Sequence, residues 1–143
     1  MSTAPTTKGG GCECGAVRYE VTGTMRKVVY CHCTQCQRTS GFYVAATACA
    51  TEDLHLLNDA GLRWYQSSEI ADRGFCEVCG SSVFYRANHG KHISIMAGTL
   101  DAPTGLVSRE HIHVDDAGDY YSIDDGLPQV PGWHDDLWED NDA

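Results

Sequence analysis

Seven of the chain's eight cysteines fall into three short motifs: Cys12-Glu13-Cys14, Cys31-His32-Cys33-Thr34-Gln35-Cys36 and Cys76-Glu77-Val78-Cys79. Nothing else in the sequence restricts the fold as strongly, because thiolates held at about 2.3 Å from one zinc ion tie distant backbone to a single point. Cys76 and Cys79, with Gly80 behind them, make a standard half-site. Two intervening residues let both sulfurs face one ion, and glycine relieves the crowding after the turn. Cys12 and Cys14 form a tighter pair that cannot close a tetrahedron alone and needs a second pair. The spacing therefore assigns Cys12, Cys14, Cys76 and Cys79 to a structural zinc ion. Cys31, Cys33 and Cys36 can place three sulfurs on a second ion and leave its fourth position without a cysteine. Such an open position separates a reactive zinc from a structural one, since water, a substrate thiolate or a carbonyl can occupy it. The expectation is two Zn(II) per chain, with Cys31, Cys33 and Cys36 as the catalytic group. The alternative is a closed second site completed by His32. In an extended segment, however, a side chain between two cysteines that face one ion points away from it. Cys49 stands alone in an apolar run and reads as an unreactive core thiol.

A cytoplasmic location is expected, and its reducing conditions make a disulfide framework a poor reading of the eight cysteines and favour metal binding. No segment approaches the roughly 20 apolar residues of a membrane span, and the first residues lack the apolar core of a signal peptide. The 143 residues suit one hydrophobic core. Short runs of Val, Tyr, Phe and Thr among 15 glycines favour a mainly β, antiparallel chain with few short helices. The expected organisation is a flexible leader over 1–10, a zinc-binding domain over 11–133 and an acidic tail over 134–143. Within the domain, strands are expected near 16–21, 27–30, 42–49, 82–85 and 92–98, with an edge strand at 111–114. Two further strands, 55–57 and 62–65, are expected to be joined across Asn58-Asp59-Ala60-Gly61, with one helical turn ending at Gly41 and a tight loop over 73–80. Trp133 and Trp138 are expected to cover apolar surface near the chain's end. A net charge of −10 speaks against nucleic acid, whose phosphates demand a basic stripe.

These motifs resemble the glutathione-dependent formaldehyde-activating enzyme (GFA) family, which also contains centromere protein V. The matching stretches are Gly11-Cys12-Glu13-Cys14-Gly15-Ala16-Val17-Arg18, Cys31-His32-Cys33-Thr34-Gln35-Cys36-Gln37-Arg38, Arg73-Gly74-Phe75-Cys76-Glu77-Val78-Cys79-Gly80-Ser81 and Gly98-Thr99-Leu100-Asp101. The resemblance implies a β-tent fold, in which small antiparallel sheets meet around a structural zinc ion, and the same partition of the cysteines. It also implies a zinc-dependent carbon–sulfur lyase acting on a small thiol–aldehyde adduct such as S-hydroxymethylglutathione. Three thiolates temper zinc as a Lewis acid and favour exchange of a thiolate ligand, so thiol handling is the expected chemistry. The expected partner is a small thiol or glutathione adduct. The carboxylates of glutathione would meet Arg38 and Arg73, with Arg63 and Arg86 as further candidates. Two other readings are a non-catalytic zinc-binding interaction module and a redox sensor whose three-cysteine site releases zinc on oxidation. His55, His89, His92, His111 and His113 are candidate general bases that nothing in the sequence ties to the metal.

Overall fold

Period-two alternation decides where the core lies. In Arg18–Thr22, Tyr19 and Val21 are fully buried while Arg18 and Glu20 keep partial contact with solvent. In His92–Met96, Ile93 and Ile95 turn inward in the same way. These two faces close on each other, and Val17, Cys49, Leu62, Val83, Phe84 and Leu100 complete the core between them. Tyr19 meets Phe84 edge-on at 5.3 Å between ring centroids, and Trp64 stacks on the same ring at 5.8 Å. Each large apolar side chain removed from water here stabilises the fold by about 1.5–3 kcal/mol. Cys49 is wholly inside this core, and burial pushes its thiol up to about 12, as expected of an inert packing residue.

The structure, a computed structural model, describes residues 7–133. Among them the strands are β1 (Thr7–Gly11), β2 (Arg18–Thr22), β3 (Val28–Cys31), β4 (Val44–Ala50), β5 (Leu54–Asn58), β6 (Leu62–Gln66), β7 (Ala71–Cys76), β8 (Ser82–Ala87), β9 (His92–Met96) and β10 (Ser108–Ile112), with one helix, α1 (Thr34–Ser40). A three-stranded sheet runs β1-β2-β5, and a seven-stranded sheet runs β10-β3-β4-β9-β8-β7-β6. The chain is thus mainly β, and its pairs are antiparallel except β10 with β3, which is parallel. No helix among the described residues is long and apolar enough to cross a membrane.

Four expectations need correction. Residues 7–10 are not part of a leader: β1 pairs with β2 from Thr7↔Thr22 to Gly11↔Arg18. Its glycines suppress the sequence signal for a strand, yet a side chain on Gly10 would collide with the Tyr19 ring and the Thr99 carbonyl. The segment around Arg73 is not a loop but β7, held between β6 and β8. The two strands flanking Asn58 and Gly61 do not pair; β5 lies in the small sheet and β6 in the large one. The connection carries the chain between sheets, steadied by Asn58 Nδ2 donating to the Gly15 carbonyl at 3.1 Å and Gly61 N–H to the Ala16 carbonyl at 2.9 Å. Finally, α1 starts at Thr34, earlier than the single turn expected, and ends at Gly41. The acidic tail and Trp138 lie outside the described residues.

Candidate metal centres

The two sheets meet where Cys12 and Cys14, on the β1–β2 connection, face Cys76 at the end of β7 and Cys79 on the β7–β8 turn. All four sulfurs lie within 4.8 Å of one another. Cys14 Sγ is 3.7 Å from Cys12 Sγ and 3.8 Å from Cys76 Sγ. A tetrahedron of sulfurs at about 2.3 Å from a central zinc has edges of about 3.8 Å, so the group fits that ion. The β7–β8 turn is built for this arrangement. Gly80 takes φ +82°, where an L side chain is strained, and its N–H donates to the Cys76 carbonyl at 2.8 Å. Further donors face the sulfurs: Val17 N–H lies 3.2 Å from Cys12 Sγ, and Ser81 Oγ lies 3.1 Å from Cys79 Sγ. The Ser81 hydroxyl and backbone pull Cys79 down to about 5, which favours the thiolate a metal requires.

Cys31 ends β3, Cys33 is the residue before α1, and Cys36 lies inside that helix. Their sulfurs also lie within 4.8 Å of one another. Helical geometry brings Cys36 N–H to 3.3 Å from Cys33 Sγ, so Cys33 caps the helix with sulfur. Ionisation concentrates on Cys33: the Cys31 and Cys36 thiols donate to it, the Cys36 N–H adds to this, and its pKa falls far below the thiol range. Cys31 is pushed far up, first by its hydrogen bond to Cys33. Each sulfur that ionises makes ionisation of its neighbours harder, and a divalent cation would let all three ionise. The soft all-sulfur donor sets of both groups suit zinc. Among the described residues, the second group has no fourth Cys, His, Asp or Glu ligand.

His32, between two of these cysteines, does turn away from them. It is wholly buried, with Nδ1 2.6 Å from the Tyr121 hydroxyl and Nε2 2.8 Å from His111 Nδ1, while His111 Nε2 lies 2.8 Å from Asp125 Oδ2. Hydrogen-bond bookkeeping sets the proton positions. Asp125, whose carboxyl His111 holds below the usual range, accepts from His111 Nε2–H. With a neutral His111 ring, Nδ1 accepts from His32 Nε2–H and His32 Nδ1 accepts from Tyr121 O–H, whose oxygen accepts from Gly118 N–H at 3.1 Å. Burial holds His32 down at about 4, consistent with a neutral ring. The result is a chain of hydrogen bonds tying the cysteine loop to β10 and to the segment carrying Tyr121 and Asp125. His111→Ala, which orphans His32 Nε2 inside the protein, is expected to lower stability by about 3 kcal/mol in urea unfolding. A midpoint and slope unchanged from the parent would show that the chain anchors nothing.

Cys31, Cys33 and Cys36 form part of the wall of a cavity of about 490 Å³. Most of that wall is apolar, and Arg73, Arg26, Tyr85 and His113 belong to it. Arg73 is 4 % exposed although it carries a charge, and its Nη2 donates to Gln35 Oε1 at 3.1 Å and lies 3.8 Å from Cys36 Sγ. The other arginines expected near a ligand lie elsewhere. Arg38 is exposed in the last turn of α1 and is not in the wall, Arg63 pairs with Glu77 at 2.8 Å, and Arg86 lies over Trp64 near Asp72. Arg26 carries no mark in the sequence, and His113 stands there only as one of five candidate general bases with no tie to the metal. His113 has a sequence-independent mark, a left-handed backbone (φ 55°) at a non-glycine residue, which places its ring beside Trp133.

Three similarities accompany this geometry. Residues 7–116 match the family described as glutathione-dependent formaldehyde-activating enzyme. An uncharacterized lyase of Schizosaccharomyces pombe is 26% identical over 115 residues, which cover 80% of this chain and 83% of that protein. A Rhodobacter sphaeroides protein of known crystal structure shares 25% identity and a TM-score of 0.56, over 70% of this chain and 97% of its own.

Proposed function

From the premise that this chain belongs to the glutathione-dependent formaldehyde-activating enzyme family, we propose that it is a zinc-dependent carbon–sulfur lyase. Its substrate in this reading is a small thiol–aldehyde adduct, of which S-hydroxymethylglutathione is the example suggested by the family's description. The observation that carries the reading is the three-cysteine group forming part of a cavity wall instead of being sealed inside the fold.

In the cleavage direction the adduct R–S–CH2–OH loses its hydroxyl proton, the oxygen's electrons form the C=O bond, and the C–S pair departs on sulfur. A zinc ion held by Cys31, Cys33 and Cys36 would supply a Lewis acid for that departing sulfur. His113 is the imidazole in the cavity wall and takes the proton from the adduct's hydroxyl oxygen. The Arg73 guanidinium, close to Cys36 Sγ, offsets negative charge gathered at the sulfurs. The mostly apolar wall offers few groups that would hold water beside the polarised carbon. The reverse addition uses the same groups with the proton travelling the other way. An interaction-module reading gives the cavity no role.

The test is exchange NMR on zinc-loaded protein with formaldehyde and a thiol, following transfer between free aldehyde and adduct. Acceleration of at least about a hundredfold over the protein-free rate is expected. A rate equal to that without protein, across several thiols, would sink the lyase reading.

A further inference from the structure

We infer, on the premise of the lyase reading, that the thiol half of the adduct has an apolar body and a single carboxylate and lacks an ammonium group, so that glutathione fits this cavity poorly. The wall facing such a body is made by Val29, Val44, Ala46, Ile70, Met96 and Ile112, with few polar groups among them. Glutathione brings two amides, two carboxylates and an ammonium, each of which costs free energy when buried without a partner. Among the described residues lining the cavity there is no Asp or Glu to receive the ammonium, and two arginines would repel it.

The cationic capacity for an anion is also limited. Arg26 is committed to backbone, with Nη2 donating to the Ala46 carbonyl at 2.9 Å and Nε to the Lys27 carbonyl at 3.2 Å. Arg73 is different. It is buried, its guanidinium stands over the Tyr85 ring at 5.1 Å, and its Nε has no hydrogen-bond partner. A buried guanidinium in an apolar wall with no Asp or Glu among its described residues carries a charge that one planar oxyanion would balance, and a carboxylate matches it in shape and charge. Its neighbour Cys36 sets the geometry: the carboxylate and the thiol are bound side by side, and the hydrocarbon that joins them loops out over the apolar wall.

A matched pair of thiols tests this by calorimetric titration of the zinc-loaded protein: ω-mercaptohexanoate, and ω-mercaptohexanol, which differs only in the charged end. The acid is expected to bind about tenfold or more tighter than the alcohol, and about tenfold or more tighter than glutathione. Arg73→Gln should erase the difference within the pair while zinc per chain stays unchanged. Equal affinities in the parent, or glutathione as the tightest ligand, would overturn the inference. So would an Arg73→Gln variant that loses zinc yet keeps the ratio, which would confine Arg73 to balancing thiolates. If that variant does not fold, the parent's ratios decide alone. Tight binding of the acid without accelerated exchange of its formaldehyde adduct would sink the lyase reading and leave this ligand class standing. Accelerated exchange with glutathione bound best would do the opposite.

Discussion

Cys76→Ala is expected to leave no cooperatively folded protein. Cys76 is wholly buried, ends a strand of the large sheet, and its sulfur touches that of Cys14 from the opposite sheet. The substitution removes one of four ligands at the point where the two sheets join. Structural zinc contributes roughly 10–16 kcal/mol of folding free energy in small zinc domains, comparable to or larger than the roughly 5–15 kcal/mol that separates a typical domain from its unfolded state. The hydrophobic core between the sheets cannot replace this, because its two faces are aligned through that same junction. The expected readouts are loss of soluble yield, a featureless melt and loss of zinc. Cys49→Ala removes a core thiol of the same size from a position outside both groups, and costs only about 1–2 kcal/mol. A Cys76→Ala protein that melts like the parent with its zinc intact would remove the structural assignment of this group.

The second large effect is of the opposite kind. Cys36→Ala is expected to preserve the fold, lower zinc by about one ion per chain and reduce exchange activity by about a thousandfold, which is several kcal/mol of lost transition-state stabilisation. The fold survives because the cysteine loop is held by bonds that do not involve sulfur. His32 N–H donates to the Ile112 carbonyl at 3.1 Å, and the Gln37 side chain donates to the carbonyls of His32 and Asp116 at 2.9 and 2.6 Å. The Tyr121–His32–His111–Asp125 chain adds a third tether. A melting midpoint near the parent's, with one zinc fewer, is the expected pair of measurements. Collapse of the domain would mean that the second ion is structural as well.

What the sequence made legible follows from the distance over which each signal acts. The partition of seven cysteines could be read because the spacing within each motif is local, and the structure groups the same residues. The helix end at Gly41 and the strands around Tyr19 and Ile93 could be read because alternation and turn chemistry are local too. β7 could not, since Asp72, Arg73 and Gly74 interrupt any alternation, and only pairing on both edges makes the segment a strand. That failure falls on the residue that brings a buried charge to the cavity, where function competes with ordinary strand preferences. The histidine chain was hidden for another reason: its partners lie 79 and 89 residues beyond His32, and no local pattern connects them.

The four-cysteine group also has a consequence in time. Cys14 and Cys76 are separated by 62 positions, whereas the other three thiols sit within one short loop. A chain emerging from the ribosome therefore presents the three-cysteine loop complete while the junction of the two sheets still lacks half of its ligands. Loop closure over tens of residues must precede that junction's reward, so the contact that joins the two sheets cannot form until the middle of the chain has been made. Until Cys79 is exposed, Cys12 and Cys14 are a vacant clasp waiting for the middle of the chain.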